Sequence, residues 1–365
     1  MTVSQKLQNQ IEEFFKNTVQ KDPNIHNAFL LVNNDPLDLH VNVCTGVNRD
    51  IDKPYYIASI GKVFTSVLIG QMVEKSLIGY DEPVMEILGK DLVDGLHTYK
   101  GVNYAGQITV RQLLNHTSGI GDYFSDKPKS GKSMLDIIQE NPYQTHSPQE
   151  IIAWSKQHLT PKFRPDTGFH YSDTGYHLLG LIIEKILQMP LHMAVKKFIT
   201  DPLELKNTWM ASHDNTSDYQ NRDICDVYWG NDNVRDYSIF KDDFAGGGIV
   251  TTSSELHAFF RAVVEGRLVS ESTLKAMTKW SKYSSIKLIG IAYGLGLMNI
   301  KSTPLLFPKK FESYGHIGSI GSLMFYNPTS KTYIISNVNR FMYHRKSMNI
   351  FARVLKMVMK EFESR

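Results

Sequence analysis

Apolar residues recur at helical spacing in the opening stretch MTVSQKLQNQIEEFFKNT, where Leu7, Ile11, Phe14 and Phe15 fall on one side. Two strand-like runs follow, Ala28 to Val32 and Leu39 to Val47, with Asn33, Asn34, Asp35 and Pro36 as the turn of a hairpin. From Ile60 to Lys75 the pattern turns helical again through Val63, Phe64, Val67, Leu68 and Met72, and Gly79 with Pro83 closes a long buried helix. Between Glu86 and Val234, helical stretches (Val110 to Leu114, Pro148 to His158, Tyr176 to Leu187) alternate with loops rich in Gly, Pro, Asp and Ser. Strand patterns return in Gly294 to Ile300, Ser322 to Asn327 and Thr332 to Val338, before an amphipathic helix from Met348 to Phe362. This order predicts an α+β fold: an antiparallel sheet covered by the N- and C-terminal helices, with an all-helical lobe beside it. Residues 1–85 and 235–365 would form a discontinuous α/β sheet domain, and residues 86–234 a helical insertion domain.

Composition removes several functions. With 365 residues and 42% apolar content, the chain can bury one large core or two modest ones. Its 40 basic and 37 acidic side chains nearly cancel, so no general field favours nucleic acid or anionic lipid. The most cationic stretch, Ser125 to Lys132, also carries Pro128 and Gly131 and reads as a solvated loop. Cys44 and Cys225 sit in no metal-ligand spacing and read as ordinary thiols. There is no P-loop, HExxH or GxSxG sequence, and Gly246-Gly247-Gly248 reads as a backbone turn, so neither a metal nor an organic cofactor is expected. No stretch reaches the roughly 20 apolar residues of a membrane span, and the N-terminus lacks an apolar signal region, so the expectation is a cytoplasmic protein. No segment specifies an oligomeric state.

Candidate chemistry begins with Ser59-Ile60-Gly61-Lys62. Residues at i and i+3 share a helical face, so the Lys62 ammonium can lie beside the Ser59 hydroxyl. The same spacing recurs at Ser238/Lys241, Ser272/Lys275 and Ser284/Lys287, but only at Ser59 does an apolar entry (PYYIAS) feed a long apolar helix. There the helix dipole favours developing negative charge, although an isolated Ser in that place would serve as a helix cap. Tyr171-Ser172-Asp173 stands between the Gly168 loop and an apolar helix, where a phenol near an ammonium can pass a proton. Tyr314-Gly315-His316-Ile317-Gly318-Ser319 precedes an apolar strand, and its glycines suggest close approach of another backbone or a ligand. The amides of Ser319 and Ser59 could together form an oxyanion hole. Singly, these pieces read as a cap, a packing tyrosine and a turn; together and in this order they point to a serine hydrolase.

With those motifs, and with ITVRQLLNHTSGIGDY (Ile108 to Tyr123), GYDEPV (Gly79 to Val84) and AGGGIVTTSSELHAFF (Ala245 to Phe260), most of the chain resembles the penicillin-recognising serine hydrolases. It is most similar to the branch of class C β-lactamases, D-Ala-D-Ala carboxypeptidases, D-aminopeptidases and β-lactamase-like esterases. The resemblance implies Ser59 as nucleophile, Lys62 as its activator, Tyr171 as proton shuttle, and the Ser59 and Ser319 amides as oxyanion donors. Asp173 stands where that family usually has Asn, and is expected to pair with Lys62 or accept from a substrate amine. His316-Ile317-Gly318 replaces Lys-Thr-Gly, which removes partners for a β-lactam carboxylate; His316 is expected to steady the Tyr171 oxygen or a substrate carboxylate. The expected substrate is a small ester, amide or D-amino-acid peptide, hydrolysed inside the cell. A true β-lactamase or carboxypeptidase, and a catalytically silent binding homologue, are the alternatives.

Overall fold

The computed structural model describes residues 3–47, 50–211, 222–283, 290–302 and 308–364. Its centre is a seven-stranded antiparallel sheet. The strands are β1 (Asn27–Asn34), β2 (Leu39–Gly46), β6 (Ile291–Tyr293), β7 (Met298–Ile300), β8 (Ser313–Ile317), β9 (Ser322–Asn327) and β10 (Thr332–Asn337), in the order β6-β7-β8-β9-β10-β1-β2. Pairing of β1 with β10, Phe29 opposite Asn337 through Asn34 opposite Thr332, brings the two ends of the chain together in the middle of the sheet. Both strands are buried throughout, whereas edge strand β2 alternates buried and exposed positions.

Helices α1 (Val3–Gln20) and α5 (His344–Phe362) cover one face and share an apolar cluster that includes Leu7, Ile11, Phe15, Phe351, Val354 and Val358. The opposite face carries α4 (Ser253–Val264) and, beyond it, the larger cluster around α2 (Gly61–Glu74) and α3 (Asp173–Leu187). A second, three-stranded sheet joins β3 (Tyr55–Tyr56), β5 (Ile249–Thr251) and β4 (Trp209–Met210). It clamps the segment that enters α2.

Several boundaries differ from the sequence expectations. Asn33 and Asn34 continue β1 instead of turning, because the Asn34 carboxamide accepts the Leu37 N–H and caps the short turn Asp35–Leu37. Gly294 to Ile300 is not one strand: the chain folds back between β6 and β7, where the Gly294 N–H donates to the Leu297 carbonyl. Helix α3 starts at Asp173, ahead of the apolar repeat, since Ser172 caps it by accepting the Gly175 N–H. The chance spacing Ser284/Lys287 lies outside the described residues. Among the described residues no single helix is long and apolar enough to cross a membrane.

Candidate active site

Ser59 occupies a tight turn, Ala58–Ile60, that runs straight into α2. Ala58 holds a left-handed backbone (φ 47°), an uncommon and strained state for a residue with a Cβ. Its neighbours hold it there. The Ile57 N–H donates to Ile249 of β5, the Ser322 hydroxyl donates to the Ile57 carbonyl at 2.6 Å, and Asn337 donates to the Tyr56 carbonyl at 3.0 Å. Both sheets therefore position the nucleophile candidate.

One turn later, Lys62 has no exposed side-chain surface. Its Nζ contacts the Asp173 carboxylate, donates to the Gly246 carbonyl at 2.8 Å, and donates to Ser59 Oγ at 3.2 Å. Burial opposes charge on Lys62, yet Asp173, with Tyr171 and Asp243, outweighs it and holds the ammonium pKa above its ordinary value. Gly246 and Gly247 end a short helical turn, Phe244–Gly247, where the Gly-Gly-Gly sequence had suggested an irregular backbone turn. A Cβ on Gly247 would lie 2.8 Å from the Ala58 carbonyl oxygen, so glycine lets this turn press against the Ser59 segment.

Tyr171 lies on a loop fixed from both sides: the Ser172 N–H donates to His116 Nδ1, and the Ser172 hydroxyl donates to the Gly121 carbonyl. Its ring packs on His116 at 4.2 Å and lies 5.0 Å from Lys62 Nζ, and its phenol contacts both Ser59 and Lys62. Burial raises the phenol's pKa; Lys62 pulls it back but does not cancel the rise.

Strand β8 closes the site. A Cβ on Gly318 would stand 2.5 Å from the Ile57 carbonyl oxygen, so only glycine allows this strand end to meet the Ser59 turn. Beyond it, Ser319 lines the cavity, and among the described residues neither its amide nor that of Ser59 donates to a protein acceptor. His316 is placed differently from the expectation. It is fully buried, its Nδ1 donates to the Ile317 carbonyl at 2.7 Å, and its Nε2 therefore accepts from the Tyr293 hydroxyl at 2.7 Å. Ile317 lines the cavity, whereas His316 does not line it and its ring lies 6.4 Å from that of Tyr171. Both nitrogens are occupied, so His316 supports the wall and offers nothing to a substrate carboxylate. Burial, then Lys62, lowers its pKa to about 3 and keeps it neutral.

The resulting cavity, of about 290 Å³, is lined by Ser59, Tyr171, Asp173, Gly318 and Ser319 together with Asp122 and Asp243, which the sequence reading missed. Burial, reinforced by the Asp173 charge, raises Asp243 to about 7 and Asp122 to about 6. Asp122 Oδ1 accepts the Asp173 N–H and its Oδ2 accepts from Ser125. Asp122 lay inside the quoted GIGDY stretch and Asp243 two residues before AGGG; an aspartate beside a glycine-rich buried turn was the available signal. Among the described residues no cluster of His, Cys, Asp and Glu is arranged to hold a metal ion.

Residues 38–355 match the Beta-lactamase family. Penicillin-binding protein 4* of Bacillus subtilis (strain 168) is 27% identical over 286 residues, which cover 72% of this chain and 55% of that protein; the chain thus spans about half the length of this curated relative. Among solved structures, a D-stereospecific amidohydrolase from Streptomyces sp. is similar at 26% identity and TM-score 0.75, over 95% of this chain and 98% of the other. D-amino acid amidase from Ochrobactrum anthropi SV3, complexed with D-phenylalanine, superposes with TM-score 0.76 at 22% identity, over 97% and 99%. EstCE1, a hydrolase with promiscuous acyltransferase activity, gives TM-score 0.78 at 16% identity, over 97% and 100%. These last two likenesses show the fold alone.

Proposed function

The chain belongs to the β-lactamase family and is a serine hydrolase, and we propose that it acts through an acyl-enzyme on Ser59, taking small amides or esters whose acyl part carries a free amine. Ser59 attacks the acyl carbon, Lys62 and Tyr171 manage its proton, and the Ser59 and Ser319 amides receive the developing oxyanion. The Lys62–Ser59 contact of 3.2 Å and the phenol beside both support these roles.

The lining of the cavity carries the substrate reading. Asp122, Asp173 and Asp243 face it, and among the described residues no Lys or Arg does. Lys62, buried beside Ser59, is already committed to Asp173. Such a wall favours a cationic group and opposes the carboxylate that β-lactams carry. At about 290 Å³ the space suits a single amino-acid residue better than a long peptide. D-amino-acid amides, named for structural neighbours, are the first compounds to try.

The test compares kcat/KM for a D-amino-acid p-nitroanilide with a free α-amine, its N-acetyl derivative, and a chromogenic cephalosporin. The reading expects the free amine to be preferred by at least ~10-fold, the effect of one charge contact of about 1.4 kcal/mol. Equal rates for the amine and its acetyl derivative, or faster cephalosporin turnover, would overturn it.

A further inference from the structure

Burial opposes charge on Lys62, but the contact with the Asp173 carboxylate outweighs it and keeps the side chain an ammonium, which has no lone pair. Its Nζ contacts Asp173, the Gly246 carbonyl and Ser59 Oγ, with the Tyr171 phenol beside them. In this state Lys62 donates to the nucleophile and has nothing with which to accept its proton. Tyr171 is also protonated, because burial holds its phenol above the ordinary range. The carboxyl group in direct contact with Lys62 Nζ is that of Asp173.

Resting on the reading of Ser59 as nucleophile, we propose that Asp173 is the terminal proton acceptor of the reaction, reached through Lys62, with Asp243 as the neighbouring carboxyl that tunes it. Lys62 yields a proton to Asp173 and becomes an amine. That amine takes the Ser59 hydroxyl proton as Oγ bonds to the acyl carbon, leaving Asp173 neutral, Lys62 charged and the oxyanion formed. On collapse, the bond to the leaving group breaks and the leaving atom takes a proton from Tyr171; Lys62 refills Tyr171, and Asp173 refills Lys62. Water repeats the cycle in deacylation, its proton following the same path and returning to Ser59. Burial favours the neutral amine and acid over the charged pair, against the Asp173 attraction that holds Lys62 charged at rest.

The groups that face Asp173 are consistent with a store for one proton. Lys62 comes from α2, Asp122 and Tyr123 from the loop after Val110–Leu114, Asp243 from the segment before the glycine turn, and Tyr171 and His177 from its own stretch. A Cβ placed on Gly246 would lie 2.5 Å from Asp243 Oδ1, 3.0 Å from Asp173 Oδ1 and 3.4 Å from Lys62 Nζ, so these atoms surround one point. Like charges this close favour retention of a proton among them, and Asp243, at about 7, titrates where the enzyme would work.

The experiment records pH profiles of kcat and KM for p-nitrophenyl butyrate with the full chain, Asp173→Asn and Asp243→Asn, alongside thermal unfolding of each. Asp173→Asn is expected to lose ~10²-fold in kcat at little change in KM, with residual rate that climbs steadily with pH. In Asp243→Asn the ascending limb moves to lower pH by roughly one unit, since a neighbouring negative charge is gone. A folded Asp173→Asn with the parental kcat and profile overturns the proposal, as does an unmoved limb in Asp243→Asn; the second variant decides the matter if the first fails to fold. Should Ser59→Ala retain turnover, the reading of the nucleophile fails instead, which separates the two claims.

Discussion

Lys62 and Asp173 form a buried ion pair that ties the first turn of α2 to the first turn of α3, with side-chain exposures of 0% and 7%. Its two halves are 111 positions apart in the chain, so the contact is both a long-range constraint on the fold and the centre of the chemistry.

Removing one partner alone strands the other. Lys62→Met leaves Asp173 facing Asp122 and Asp243 without a cation and is expected to cost about 3–5 kcal/mol in urea unfolding. The double variant Lys62→Met/Asp173→Asn recovers part of that loss while remaining inactive. A coupling below about 0.5 kcal/mol in the double-mutant cycle would mean that the two side chains act independently.

Gly318→Ala tests the close approach of β8 to the nucleophile. The new methyl meets the Ile57 carbonyl oxygen, a backbone atom already held by Ser322. The strand end has to withdraw, carrying the Ser319 amide with it. The expected result is a folded protein whose kcat falls by ~10²-fold, the effect of losing an oxyanion donor, with KM changed far less.

Stability against pH carries two opposed slopes. His316, lowered to about 3 from 6.5, stays neutral in the native state while the unfolded chain binds a proton, so stability falls as pH drops below about 6.5. Asp243, raised to about 7 from 3.8, holds its proton more tightly when folded, so its contribution is present at low pH and lost as pH rises through about 7. Asp243→Asn is therefore expected to unfold at a higher Tm than the parent near pH 8, with the advantage gone near pH 4. His316→Asn should flatten the acid slope. A gain in Asp243→Asn that is the same at both pH values would contradict the assignment.

The α+β order was legible because each main element writes its own periodicity. Val63, Phe64, Val67, Leu68 and Met72 mark α2, and the apolar β1 run marks a strand buried on both faces. Ser59, Lys62 and Tyr171 could be named because their local patterns are distinctive in combination. Asp122 and Asp243 could not, since an aspartate next to glycine looks like a surface turn until distant segments bury it. The partners of His316 were hidden for a related reason: the sequence puts it in the strand, but its bonds to the Tyr293 hydroxyl and the Ile317 carbonyl follow from the fold. Gly294 to Ile300 looked continuous because a turn with apolar flanks keeps the composition of a strand.

Acylation of Ser59 is read out by intact-mass measurement with peptide mapping. The protein is mixed with a p-nitrophenyl ester or a fluorophosphonate, quenched in acid within seconds, and digested. The account predicts one adduct of the acyl or phosphonyl mass on the peptide containing Ser59, and no adduct in Ser59→Ala. Turnover with no adduct at any time, or an adduct that persists in Ser59→Ala, would contradict it.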